Sequence, residues 1–329
     1  MEEYTRVFKD ADFLPADEAE KQSLEKTRPG TTYWKDAWRR LKKNKLAITA
    51  VVCLCVIILC AIFIPIFSPY RYDQQLRTET RLAPSLRHPM GTDMFGRDVL
   101  VRVMIGTRIS LMVGFVSTVL VLIIGGIIGG VSAYAGGWLE VLLMRIVDLL
   151  IALPSLLIII LISVALRQPL EDLIGHGGFW GSFSRLGAGL ISIFLVFGLL
   201  YWAGMARTVR GALVSIRNQE YVLAALSMGA KASRVIFRHM VPNGMGTIVS
   251  AVTVTVPNAI FTESFLSFIG LGVSAPMASL GSLSSDALNG MVSYPYLLAF
   301  PAIVLSLIIL SFNVLGDGLR DALDPRLRQ

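Results

Sequence analysis

Three observations on the sequence predict an all-α membrane protein with six transmembrane helices. The first is composition. Hydrophobic residues make up 54 % of the 329 residues and charged residues only 16 %, against roughly 25 % charge in an ordinary soluble domain. The second is a mean hydropathy of +0.65. The third is the presence of six apolar runs, each near the length of about 20 residues that a helix needs to cross a bilayer core. Strands of a membrane barrel need only about ten. Together these exclude a soluble enzyme, a disordered chain and a collagen-like chain. The net charge of +7 reads as topogenic, lipid-facing charge in the bilayer, so no nucleic-acid partner is expected.

The elements follow in order. Residues 1–30 read as a polar cytoplasmic tail without the apolar core of a signal peptide. Residues 31–45 read as an amphipathic surface helix. Trp34, Trp38 and Leu41 fall at i, i+4 and i+7 among Arg39, Arg40, Lys42, Lys43 and Lys45, a pattern suited to the membrane surface. A short solvated helix is the plainer alternative. The membrane domain, residues 46–316, holds the six spans: Leu46–Phe67, Ile109–Ala135, Leu149–Leu166 (starting as early as Leu139), Leu186–Ala206, Gly244–Thr262 and Ala287–Gly316. The fifth continues past Glu263 toward Gly272, and the sixth opens with a surface stretch near Tyr294–Tyr296. Residues 317–329 form a cytoplasmic tail.

Basic residues set the orientation. The cluster Arg39–Lys45, the loop 207–243 and the tail with Arg320, Arg326 and Arg328 all fall on the cytoplasmic side of a six-span chain. The first outer loop, Ser68–Arg108, disagrees, because it carries seven arginines.

A search for catalytic constellations finds none. No G-x-x-x-x-G-K-[ST] loop is present; Gly229-Ala-Lys-Ala-Ser lacks the first glycine and the Gly-Lys pair. His88, His176 and His239 are scattered, without metal-site spacing. Cys53, Cys55 and Cys60 share one apolar run and read as small helix residues. No cofactor is expected on this chain. If ATP drives transport, a separate ATPase binds it.

The most informative segment runs from Glu220 to Asn243. Helix formers fill Glu220–Met228, Gly229 is placed to end that helix, and a second short helix runs toward Pro242 and Asn243, where the next span starts. Ala224, Ala225, Gly229 and Ala230 line a thin surface suited to a groove in another protein. This segment resembles the EAA loop of importer-type ABC permeases. Ala224-Ala225, Gly229 and Pro242 match the spacing of that motif. Leu223 stands where its glutamate usually does, with Glu220 three residues earlier, and Val241 replaces the usual leucine. The form Glu-Tyr-Val-x-Ala-Ala resembles the peptide/nickel branch of the family.

Three further stretches resemble signatures of that branch: His88–Asp98 followed by Gly106–Leu111, Glu263–Gly272, and Gly316–Arg326. Trp34–Lys45 running into Leu46 resembles the C-type subunit of oligopeptide permeases. The resemblance implies the type I ABC importer permease fold and a coupling helix docked on an ATPase. It also implies a similar second permease subunit, two cytoplasmic ATPase subunits binding ATP and Mg, and an extracytoplasmic substrate-binding protein. Peptide is the implied cargo. Dipeptides, nickel chelates and glutathione-like compounds remain alternatives, and an ion-coupled secondary transporter is a more distant one.

Several residues carry two readings. Glu263 is an acid deep in the fifth span, where charge is costly. It lines the path, pairs across the subunit interface, or packs as a protonated carboxyl. Thr255, Asn258 and Thr262 share a face of that span and either line the path or pack on protein. Asp148 is expected to pair with Arg145 on its own helix. Gly125-Gly126 and Gly129-Gly130 allow close helix approach. Pro154 and Pro257 are candidate kinks. In the outer loop, Gly91, Asp93, Gly96, Arg97 and Asp98 read either as a gate or docking surface or as a scaffold.

Overall fold

The computed structural model describes residues 33–175, 187–273 and 277–323. The tail 1–30, His176 and residues 324–329 lie outside the described residues. Among the described residues ten longer helices follow one another, besides a 3-10 turn at Leu288–Gly290: α1 (Tyr33–Lys43), α2 (Lys45–Phe67), α3 (Val99–Ala135), α4 (Gly137–Ala152), α5 (Ser155–Gly175), α6 (Gly187–Arg217), α7 (Glu220–Ser227), α8 (Ala232–Phe268), α9 (Leu280–Ala287) and α10 (Tyr296–Leu323). Among the described residues, α2, α3, α6, α8 and α10 are long and apolar enough to cross a membrane, and the bent pair α4–α5 makes a sixth span if taken as one.

The amphipathic helix α1 divides its residues differently from the expected seam. Ala37 and Leu41 are buried, and Leu41 packs with Ala47, Leu319 and Ala322 at the far end of α10. Trp38 faces outward, with the Lys42 ammonium 5.3 Å from its ring centre. Asn44 separates α1 from α2 and caps α2, its Oδ1 accepting from Ala47 N at 3.1 Å. Such a cap satisfies one of the amides that every helix start leaves unpaired.

Helix α2 fully buries only Ala47, Ala50, Leu54 and Ala61, a narrow stripe flanked by the half-buried Ile57 and Ile64, and turns most of its other large side chains outward as a lipid-facing helix does. Pro65 cannot give an N–H to the carbonyl of Ala61, four residues earlier. Arg108 of α3 supplies the missing donor, with Nε 2.5 Å from Ala61 O, and its Nη2 also donates to Ile62 O at 2.6 Å. The second span therefore begins ten residues earlier than the charge-free run Ile109–Ala135, because Arg102 and Arg108 find partners inside the protein.

The glycines of α3 set its packing. A Cβ on Gly125 would lie 2.7 Å from Met205 Cβ, and one on Gly129 would lie 2.5 Å from Ala206 O. Gly126 has nothing within 4 Å and Gly130 meets only Leu213 at 3.9 Å. One glycine of each pair thus admits α6, while the other faces away. Val113, Val121, Phe197, Met205, Val209 and Ala259 form the main core between α3, α6 and α8. A second core joins α2, α3, α8, α9 and α10 through Leu54, Val103, Ile260, Leu280 and Ile308.

The third span is not one straight helix. It bends by 87° between α4 and α5, at Leu153-Pro154, where proline withdraws an N–H and disfavours helix at the residue before it. Pro257 lies inside continuous α8. Asp148 pairs with Arg207 of α6 at 2.5 Å and not with Arg145 as expected. The nearby pair Glu140–Arg210 also joins α4 to α6, so tertiary partners override the i, i+3 neighbour. In the sixth apolar run Ala287 ends the short helix α9, and the stretch near Tyr294–Tyr296 leads into the span as expected; α10 runs from Tyr296 to Leu323, past the predicted end at Gly316.

Candidate functional site

A groove of about 980 Å³ runs along one side of α8. Asn243, Thr247, Ser250, Thr255, Asn258 and Thr262 line it from α8, Ser155 and Ile159 from α5, Tyr201 and Thr208 from α6, and Asp317 and Arg320 from α10. Helical periodicity carries the α8 set: with Val254, which also lines the groove, these residues recur about every three or four positions. Thr255 and Thr262 hydroxyls donate to Ala251 O and Asn258 O, each at 2.8 Å. Tyr201 Oη lies 3.0 Å from Thr262 Oγ1. The Asn258 side chain is exposed to the groove.

Glu263 does not share that wall. One residue beyond Thr262, it turns about 100° around the helix, is fully buried, and meets Ser110, Ser264 and Ser267. Its placement on a groove-lining face is therefore corrected. The signal available in the sequence was Ser267, four residues on and so on the same face.

The loop between α6 and α8 forms a helical hairpin. Helix α7 turns Val222 and Ala225 inward, where Val222 packs with Val235 in the main core. Glu220, Ala224, Leu223, Leu226 and Met228 face outward, as does Phe237 across the turn. The two alanines therefore face opposite ways instead of lining one surface. Gly229 has φ +78°. Ala230 N donates to Ala225 O at 3.1 Å and Gly229 N to Leu226 O at 2.9 Å, the paired bonds of a Schellman turn. Nothing lies within 4 Å of a Cβ built on Gly229.

Beyond the turn, no separate second helix ends at Pro242. The chain winds from Ala232 through π-helical turns at Val235–Met240 directly into the body of α8. Pro242 leaves a gap in the backbone ladder, and beside it Asn243 Nδ2 donates to His239 O at 2.6 Å. Asn243 belongs both to this hairpin and to the groove wall, so the two features meet at one residue.

The loop between α2 and α3, expected to face outward, is held by buried charge. Asp93 accepts from Phe95 N at 2.8 Å and Arg97 N at 2.9 Å, and pairs with Arg97 at 2.6 Å and Arg102 at 2.7 Å. Asp98 caps α3 through Val101 N at 2.9 Å and meets His88 Nδ1 at 2.8 Å. The opposite ring nitrogen of His88 meets Glu79 at 3.2 Å, and Glu79 pairs with Arg87 at 2.9 Å. The Tyr70 hydroxyl and then Glu79 raise the Arg87 pKa above its ordinary value.

Gly91 (φ +77°) and Gly96 (φ +72°) turn the chain where a Cβ would strike the backbone of Leu82 and Leu76. Asp93 and Asp98 therefore point into the loop, and any partner meets the surface they shape. The network also explains five of the seven arginines that disagreed with the orientation rule. Arg71, Arg87, Arg97 and Arg102 pair with carboxylates and Arg108 with carbonyls. Sequence reading missed Glu79, Arg102 and Asp286, whose partners are distant in the chain.

Comparison with known proteins adds the following. A family model described as a binding-protein-dependent transport system inner membrane component matches residues 121–329. A second, the N-terminal transmembrane domain of oligopeptide transport permease C, matches residues 32–84. The chain is 45 % identical over 314 residues to the oligopeptide transport system permease protein OppC of Bacillus subtilis, covering 95 % of each chain. It is 45 % identical over 303 residues to the dipeptide transport system permease protein DppC of the same organism, covering 92 % of this chain and 88 % of that one. The Escherichia coli OppC is 38 % identical over 301 residues, covering 91 % and 93 %. Among solved structures, an inward-facing conformation of the MetNI methionine ABC transporter superposes with a TM-score of 0.53 at 19 % identity, covering 69 % of this chain and 96 % of that one.

Proposed function

The chain belongs to the binding-protein-dependent transport system inner membrane components, and on that premise we propose that it is the C-type membrane subunit of an ATP-driven importer of oligopeptides. The observation that carries this reading is α7. Leu223, Leu226, Met228 and Phe237 are exposed around a rigid glycine turn and contribute little to packing within their own chain. An exposed apolar patch of that kind marks a docking surface. It sits at the foot of α8, whose other face lines the groove, so a push on α7 moves a wall of the groove.

In this reading two cytoplasmic ATPase subunits bind ATP and Mg and dock on the hairpin that includes Glu220, Ala224, Gly229, Ala230 and Pro242. A homologous second permease subunit closes the groove opposite Thr255, Asn258 and Thr262. An extracytoplasmic binding protein delivers the cargo above the outer loop. Both termini are cytoplasmic. Transport proceeds by alternating access, the nucleotide state favouring one orientation because the ATPases bind it more tightly. The α8 wall of uncharged amides and hydroxyls suits a cargo with a constant backbone and varied side chains. Similarity to DppC, equal in identity to that with OppC, supports dipeptides as the second reading.

The test is a mild-detergent pull-down from native membranes with mass spectrometry, followed by peptide uptake into proteoliposomes. Recovery of a second permease and ATPases, with uptake that requires ATP and tolerates a proton ionophore, supports the reading. Recovery of the chain alone under conditions that preserve known complexes, or uptake abolished by the ionophore, contradicts it.

A further inference from the structure

The buried carboxyl group of Glu263 has no part in the groove, yet three structural elements converge on it. Ser267 of α8 donates to Oε1 at 2.7 Å, while Ser110 of α3 at 2.9 Å and Ser264 of α8 at 3.2 Å donate to Oε2. Two of these hydroxyls reach further. Ser110 Oγ accepts from Leu280 N, the first residue of α9, at 3.4 Å. Ser267 Oγ accepts from Val273 N at 3.0 Å, on the segment leaving α8. The same carboxyl group thereby orients the hydroxyls that hold both the departing chain and the start of α9.

The fit around it is close. A Cβ on Gly281 would collide with the backbone of Ser264, and one on Gly106 would lie 3.1 Å from the Ser279 carbonyl carbon. The other end of α9 is held separately, by Arg102 and Asp286 at 3.5 Å.

We propose that Glu263 is a positioning residue that clasps α9 to α8 and α3, so that the outer end of the permease moves as one body when α8 is driven from α7. This rests on the transport reading above. The carboxyl group acts here as a hydrogen-bond acceptor for three hydroxyls, and its place is fixed by the serines rather than by cargo. A buried acceptor removed from such a network leaves its donors unpaired and loosens what they hold.

The experiment uses the full complex in nanodiscs, with Cys53, Cys55 and Cys60 replaced by alanine. Spin labels at Ile269→Cys and Leu288→Cys, both exposed positions, report the distance across the clasp. The proposal expects a narrow distance distribution in the parent, with and without ATP. Glu263→Leu should broaden it and lower peptide uptake about tenfold, within the range usual for coupling between sites, while basal ATP hydrolysis is unchanged.

Glu263→Gln should restore the narrow distribution and most of the uptake, since its amide can give to Ser267 and accept from Ser110. If Glu263→Leu fails to assemble, the double variant Ser110→Ala with Ser267→Ala should broaden the distribution. A parent-like distribution in Glu263→Leu or in the double variant overturns the proposal, as does a Glu263→Gln protein as defective as Glu263→Leu. Absence of ATP-dependent uptake in the parent overturns the transport reading instead, and leaves the distance measurement to judge the clasp.

Discussion

Two turns of the same construction bracket α8. At one, Gly229 has φ +78° and the bonds Ala230 N to Ala225 O and Gly229 N to Leu226 O close the turn. At the other, Gly270 has φ +82°, and Leu271 N to Leu266 O (2.8 Å) and Gly270 N to Ser267 O (3.1 Å) repeat the pattern. Their surroundings differ. A Cβ on either glycine would meet nothing within 4 Å, but the neighbours of Gly229 form an exposed apolar skin. Around Gly270 the chain holds itself: Arg167 Nη1 donates to Gly270 O at 3.0 Å, Gly272 lies against Ser267 and Gly189, and Glu263 is buried beneath. The same capping chemistry sets both backbones. What sits around the turn then decides whether it is left open, as the proposed docking at α7 requires, or is a joint within this chain.

The comparison can be broken by substitutions placed at the two ends. The largest effect on folding is expected from Gly281→Val at the outer end. Its new side chain meets the backbone of Ser264, an overpacking cost of about 1–3 kcal/mol, read as a lower thermal midpoint or lost yield in detergent. Gly229→Asp, at the other end, should insert and melt normally apart from the strain of left-handed backbone, about 1–2 kcal/mol. Its transport should fall about tenfold, equivalent to about 1.4 kcal/mol of lost docking, while the chain's yield is kept. An intact rate would remove α7 from the coupling path.

A smaller effect is expected from Met228→Ser. It should leave stability within about 0.5 kcal/mol and weaken ATPase binding by on the order of 1 kcal/mol, measured by titrating the purified ATPase onto the permease. The smallest is expected from Arg167→Ala, which removes an exposed hydrogen bond to Gly270 O and an exposed ion pair with Glu171 on its own helix. It should cost no more than about 1 kcal/mol and leave transport unchanged. If Arg167→Ala were instead as damaging as Gly281→Val, the outer end would depend on those contacts and not on its packing.

The sequence made the same distinction only in part. Hydropathy placed α2 within one residue of its limits, because a lipid-facing helix is specified by composition alone. It misplaced the start of α3, because Arg102 and Arg108 are satisfied by carboxylates and carbonyls that a local window cannot see, whereas the surface stretch near Tyr294–Tyr296 leads into α10 where expected. The 87° bend was visible as Pro154, but its size depends on how α4 is tied to α6 through Asp148–Arg207 and Glu140–Arg210. The groove residues Thr255, Asn258 and Thr262 were legible from spacing, as was the glycine turn at 229. The direction of Glu263 was not, since a carboxyl group in a span signals expense rather than orientation. Its partners Ser110 and Leu280 come from elements far away in sequence.

The most direct test of the account is site-specific crosslinking in the assembled complex, in the background lacking Cys53, Cys55 and Cys60. A cysteine at Met228 is predicted to crosslink to an ATPase subunit, in a manner sensitive to nucleotide, whereas one at Leu288 crosslinks to no ATPase. Crosslinking of the ATPase to Leu288, or none at Met228 in a complex that retains its ATPases, would contradict the assignment of the two ends.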